Sequence, residues 1–227
     1  MKKFLNLILC AVMMVSFVSS GYAMTQNEII EHFQSVVNLK ETTFGDTADF
    51  PWAIKPIAEL AKRGIVSGTG NGMFSPQNTV SRYEFVKMIT GVCGLVNPDA
   101  TLPHTDIPKD HWAYVYVASA YEAGLLDIFS KVIFNGVAPI TREEIAYVAI
   151  EAMIKNGTIG SAYAPVADFT DEDKISDYAK THVATLNELG VINGRDDGRF
   201  SPKDFATRAE SAKIIYNILC ITETNFN

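Results

Sequence analysis

Cysteine is scarce in this chain, at 3 of 227 residues, and Cys10 lies in an apolar run at the N-terminus. That is too few for the disulfide framework that staples small secreted domains. Cys93 and Cys220 remain, in similar places near the ends of two sequence repeats. They read as two buried small thiols, with a single bridge as the alternative. The four histidines, His32, His104, His111 and His182, lack the ligand spacing of a zinc site. Basic residues are outnumbered, 19 against 26 acidic, for a net charge of −7. A nucleic-acid partner is therefore disfavoured, because phosphate backbones are met by clustered Lys and Arg. No run beyond the N-terminus is long and apolar enough to span a bilayer. There is no Gly-x-Ser-x-Gly, and Gly68-Thr-Gly-Asn-Gly72 lacks the strand and spacing of a nucleotide loop. No cofactor is expected. Hydrophobic content of 48% and charge of 20% exclude disorder over the whole length.

The first residues have the form of a secretory signal. Lys2 and Lys3 precede an almost wholly apolar Phe4–Val18, and Ser19-Ser-Gly-Tyr-Ala23 supplies small residues around a cut after Ala23. Residues 1–23 are expected to be removed, leaving a secreted chain with no membrane span. Residues 24–43, with Ile29, Ile30, Phe33, Val36 and Val37, form one further amphipathic helical segment by pattern.

What the chain does have is an internal repeat. Trp52, Trp112 and Tyr178 each stand 12 residues before Gly64, Gly124 and Gly190. Those glycines stand 18 residues before Arg82, Arg142 and Arg208, with Phe74, Phe134 and Phe200 ten residues into each interval. The units repeat at 60 and 66 residues, so the inserted residues lie between them. Phe44-Gly-Asp46, His104-Thr-Asp106 and Phe169-Thr-Asp171 open them.

Each unit reads as helix, loop, helix. A glycine ends the short helix in the left-handed conformation. In the loop, Asn71-Gly72 and Asp197-Gly198 are tight-turn signals. Ser81-Arg-Tyr-Glu84, Thr141-Arg-Glu-Glu144 and Thr207-Arg-Ala-Glu210 are capping boxes that start the long helix. Phe85, Met88, Ile89 and Val92 then give the i, i+3, i+4, i+7 stripe of a core-facing helix. Ile145, Val148, Ala149 and Ala152 repeat it, as do Ala212, Ile215, Tyr216 and Leu219. One helix pair buries too little apolar surface alone. Three stripes predict three long helices around a pseudo-threefold axis, with grooves between units.

These residues resemble the S-layer homology (SLH) domain. Repeat one carries Asp46, Trp52, Gly64-Ile-Val-Ser-Gly68, Phe74-Ser-Pro76 and Ser81-Arg-Tyr-Glu84. Repeat three carries Phe169-Thr-Asp171, Gly190-Val-Ile-Asn-Gly194, Asp197-Gly-Arg-Phe-Ser-Pro202 and Thr207-Arg-Ala-Glu210. Repeat two keeps Asp106, Trp112, Gly124 and Thr141-Arg-Glu-Glu144. The resemblance divides the chain into a signal peptide (1–23), an N-terminal helical segment (24–43) and SLH repeats at 44–98, 99–160 and 161–222. It implies an all-α, mainly helical prism around a central three-helix bundle. It also implies noncovalent attachment to the cell wall or cell surface, through an anionic, pyruvylated secondary wall polysaccharide held in the inter-repeat grooves.

The threonine or serine and the glutamate of each box are explained by capping, but the arginine is not. A cation at a helix N-terminus opposes the helix dipole. Two roles fit Arg82, Arg142 and Arg208: a ligand carboxylate, or an ion pair to a neighbouring repeat. Trp52, Trp112 and Tyr178 either cover a sugar ring or pack in the core. Asp46, Asp106 and Asp171 orient the arginines, cap the short helices or touch ligand. Gly68 and Gly194 permit close approach of a sugar. Repeat two departs from the pattern, with Ile128 for the second glycine and Phe129-Ser-Lys-Val-Ile-Phe-Asn-Gly136 for the polar loop. A groove lined by that loop is expected to be weakened or closed.

Three other functions compete. A protein–protein assembly module of the cell surface, with other surface proteins as partners, fits the same repeats. A calcium module is weaker: Asn193-Gly-Arg-Asp-Asp-Gly198 with Asp204 places Arg195 at a ligand position and lacks the final bidentate Glu. An enzyme is disfavoured because a catalytic carboxylate pair is normally unique, whereas every candidate here is repeated.

Overall fold

The structure is a computed structural model that describes residues 44–163 and 168–225. The expected signal peptide and the 24–43 helical segment lie outside them. Six helices occupy the described residues: α1 (Pro51–Lys62), α2 (Arg82–Val92), α3 (Tyr114–Glu122), α4 (Arg142–Lys155), α5 (Lys180–Glu188) and α6 (Arg208–Asn225). A single 3-10 turn, Glu172–Lys174, precedes α5. The chain is mainly helical, as expected.

Local chemistry fixes the boundaries of the helices. The Ser81 and Thr141 side chains accept from the N–H groups of Glu84 and Glu144, and each glutamate takes the N–H of its own cap. Thr207 and Glu210 repeat the exchange at α6. Each such cap contributes about 1 kcal/mol. The short helices end at Gly64, Gly124 and Gly190, with φ of 69°, 81° and 66°. The two tight turns form as read: the Thr69 N–H donates to Met73 C=O at 2.8 Å, and the Arg195 N–H to Arg199 C=O at 2.7 Å.

The repeats interlock. Each short helix packs on the long helix of the preceding repeat: α3 on α2, α5 on α4, and α1 on α6, which closes the circle. Helix α2 also packs against both α4 and α6. The predicted stripes are buried, apart from half-buried Tyr216, and Phe74, Phe134 and Phe200 are each at most 1% exposed. At the entrance to the long helices three segments of the chain bond in a ring. The Val80 N–H donates to Ala206 C=O (3.0 Å), Ala206 N–H to Ile140 C=O (3.2 Å) and Ile140 N–H to Val80 C=O (3.0 Å).

The cysteines differ from expectation. Cys93 is buried, and burial pushes its thiol up to about 12, but Cys220 is exposed and both are free. Counted from the capping glutamates, Cys93 is nine residues on and Cys220 ten. One residue turns a helix by about 100°, so the two thiols face different ways.

Repeat two replaces Pro76 and Pro202 with Gly136 for a steric reason. All three residues accept a backbone N–H from the long helix of the preceding repeat in the circle: Pro76 from Ala209, Gly136 from Tyr83 and Pro202 from Glu143. At Gly136 the Tyr83 ring fills the space a side chain would need, 1.9 Å from an ideal Cβ. Gly136→Ala is therefore expected to lower the unfolding free energy by about 1–3 kcal/mol, measured by urea denaturation. A substitution with no effect would show that the ring yields freely.

Candidate functional site

The three arginines leave their own repeats. Arg208, at the start of α6, reaches the loop of repeat one: Nε donates to Phe74 C=O (2.9 Å), Nη2 to Ser67 C=O (2.8 Å) and Nη1 to Glu84 Oε1 (2.7 Å). Arg142 reaches repeat three, donating to Phe200 C=O (2.8 Å) and Asn193 C=O (3.3 Å), with Nη1 3.7 Å from Glu210. Arg82 reaches repeat two, donating to Phe134 C=O (3.2 Å) and Glu144 (2.7 Å). Their guanidinium carbons lie 4.6, 5.0 and 4.6 Å from the rings of Phe74, Phe200 and Phe129, respectively. Each capping glutamate thus works twice: Oε2 takes the N–H of its own cap and Oε1 faces the previous repeat's arginine. Of the two roles open to the arginines, the inter-repeat ion pair is present at all three.

The opening aspartates hold the same loops from the other side. Asp46 accepts the N–H groups of Phe74 and Ser75 (2.8 and 2.7 Å), Asp106 those of Phe134 and Asn135 (3.0 and 2.7 Å), and Asp171 those of Phe200 and Ser201 (2.7 and 2.9 Å). Ser75, Asn135 and Ser201 all have positive φ, at 58°, 53° and 57°. The turn exposes two adjacent N–H groups, and the carboxylate satisfies both. The aspartates do not cap the short helices, which have no side-chain cap. They meet the arginines through the shared Phe residue, and the charges of Asp46 and Asp171 also act through space on Arg208 and Arg142. Burial tends to raise the carboxyls of Asp46 and Asp106, but the backbone donors outweigh it and hold both below the usual carboxylate range.

Among the described residues, two grooves between repeats carry an exposed tryptophan. One, of about 260 Å3, is lined by Ile65–Ser67 and by Glu84, Lys87 and Met88, with Trp112 and Arg208 from the neighbouring repeats. The other, of about 530 Å3, is lined by Val191–Asp196 and by Glu210, Lys213 and Asn217, with Trp52 and Arg142 from the neighbours. Trp52 and Trp112 are 47% and 53% exposed. The core-packing reading of these tryptophans is thus overturned, because Trp52, in the first turn of α1, and Trp112, two residues before α3, sit at groove rims. The Cβ side of Gly68 and Gly194 is filled by protein. An ideal Cβ would lie 2.6 and 2.8 Å from the rings of Phe44 and Phe169, so packing explains both glycines without a ligand.

The third inter-repeat position is built differently. Tyr147 stands where Lys87 and Lys213 stand, three residues after the capping glutamate. Its ring meets Tyr178 edge-on at 5.9 Å. The Tyr178 hydroxyl donates to buried Glu143 at 2.9 Å, and Ser176 and Lys203 bind the same carboxylate. Burial works to raise Glu143, but these donors hold it below its usual range. Burial and the bond to Glu143 together push the Tyr178 hydroxyl up. The sequence reading missed Lys87, Lys213 and Glu143. Aligning the residue three after each capping glutamate (Lys, Tyr, Lys) and the residue after each arginine (Tyr, Glu, Ala) would have found them.

Comparison with known proteins gives one family. The model of the S-layer homology domain matches residues 43–86, 105–146 and 168–212. Among relatives, "Exoglucanase XynX" of Acetivibrio thermocellus is 35% identical over 88% of this chain and 18% of its own length. "Amylopullulanase" of Thermoanaerobacterium thermosulfurigenes is 34% identical over 79% of this chain and 10% of its own. An "S-layer protein" of Bacillus thuringiensis subsp. finitimus is 28% identical over 76% of this chain and 21% of its own. The chain thus spans less than a quarter of each of these relatives.

Two outcomes follow from the geometry. Arg142, with a side chain only 5% exposed, leaves the carbonyls of Phe200 and Asn193 without this donor when truncated, and leaves Glu210 with Arg195 as its one remaining cation. Arg142→Ala is expected to cost about 3–5 kcal/mol of unfolding free energy, whereas Lys180→Ala, which breaks an exposed pair with Asp177, costs at most about 1 kcal/mol. Equal effects in urea denaturation would contradict the assignment. Second, Asp46 and Asp106 have lowered folded-state values. The stability they contribute is present above the unfolded carboxylate value, near pH 4, and is lost as pH falls through the folded one. Urea midpoints should therefore fall below about pH 4, and the fall should be smaller in Asp46→Asn.

Proposed function

The chain belongs to the S-layer homology domain family, and on that premise we propose that it attaches noncovalently to the bacterial cell wall by holding an anionic, pyruvylated wall polysaccharide in its inter-repeat grooves. The observation that carries this reading is the pair of grooves in which an exposed tryptophan, an arginine and a loop come from three different repeats. A tryptophan face covers the apolar side of a sugar ring. Arg208 uses three of its five N–H groups on the protein, which leaves the others for a ligand, and Arg142 is placed the same way. Asp46 and Asp171 support these sites from behind the loops that begin at Gly68 and Gly194. Arg82, Asp106 and Tyr178 occupy the third position, where the ligand is held weakly or not at all. The location that goes with this reading is the cell wall or cell surface. The relatives with glycanase names match over a small share of their length, which supports a shared binding region and not a shared catalytic one.

One feature favours a protein-assembly reading as the second choice: the repeat-two loop exposes Val132, Ile133 and Val137. A single experiment separates the two. The protein lacking residues 1–23 is expected to sediment with isolated cell-wall sacculi and to stay in solution once the wall polymer has been stripped from them. Trp52→Ala with Trp112→Ala is expected to weaken sedimentation about tenfold. Binding that survives removal of the polymer would sink the polysaccharide reading in favour of the protein one.

A further inference from the structure

The arginine charge in both grooves is already met by protein. Arg208 pairs with Glu84. Arg142 faces Glu210, which also takes Arg195. Lys87 and Lys213 take part in no ion pair among the described residues. They are half-buried, lie one helical turn beyond the capping glutamates and line the two grooves. Their stems pack against the groove while the ammonium heads have no carboxylate partner, which leaves local positive charge that a carboxylate-bearing ligand can neutralise.

We infer that Lys87 and Lys213 are the residues that recognise the acid group of the ligand, and that the residue three after each capping glutamate sets whether a groove selects an anionic sugar. The arginines shape the grooves, the lysines read the charge, and Tyr147 makes the third position indifferent to it. In the larger groove Arg195 and Asp196 are also part of the lining.

This inference rests on the polysaccharide reading, and its test separates the two. Calorimetry would compare a pyruvate-ketal-bearing monosaccharide with the same sugar lacking the ketal. The wild-type chain lacking residues 1–23 is expected to bind the ketal form at least tenfold more tightly. Lys87→Met with Lys213→Met should lose about tenfold in affinity for the ketal form and little for the neutral sugar, with an unchanged unfolding midpoint. Lys87→Arg in the Lys213→Met background should restore part of the loss. A double methionine variant that keeps the preference for the ketal overturns the lysine assignment and leaves the polysaccharide reading standing. A wild-type protein that binds neither sugar and does not sediment with sacculi overturns both.

Discussion

Everything in the described unit depends on three backbone hydrogen bonds that close on themselves. Val80, Ile140 and Ala206 each donate to one neighbour and accept from the other. The ring brings the N-termini of α2, α4 and α6 to one place, and each arginine can then leave its own repeat. A guanidinium there would oppose its own helix dipole. The cost is offset because the fork meets a glutamate, a phenylalanine carbonyl and an aromatic face on the adjoining repeat. The aspartates complete the arrangement, since the phenylalanine whose carbonyl receives the arginine has its own N–H held by Asp46, Asp106 or Asp171.

Much of this was legible in the sequence, because it rests on local rules. Capping boxes, glycine stops, tight turns and apolar stripes act within a few residues, and all formed where the pattern placed them. The ion-pair role of Arg82, Arg142 and Arg208 could be named but not chosen over ligand contact. Its carboxylate partners are the capping glutamates, which the sequence had already assigned to another task. A carboxylate has two oxygens, and one-dimensional reading credits only one. The two thiols fell to different faces through a one-residue offset. Gly68 and Gly194 look like access points for a ligand in sequence. In three dimensions Phe44 and Phe169 fill the space beside them.

The repeats share a frame but not a surface. Where repeats one and three carry Lys87 and Lys213, repeat two carries Tyr147. Where repeat three carries Ala209, Glu143 draws Tyr178 into a buried network and Tyr83 sets its ring against Trp112 and Gly136. The frame constrains the arginine, aspartate and glutamate in every copy. The residues between them vary, and with them the chemistry of each groove.

The circular packing also shapes how the chain acquires its structure. Helix α1 rests on α6, and Arg208 bonds to Glu84, Phe74 and Ser67 across 124, 134 and 141 residues of sequence. Loops that long close slowly, and their entropy is lost before any contact rewards it. The first two repeats, made first, have no surface on which to lay α1 and no arginine for Glu84. They wait for the last. In a chain built this way the long-range contacts of α1 and Glu84 are completed only when the final repeat shuts the circle.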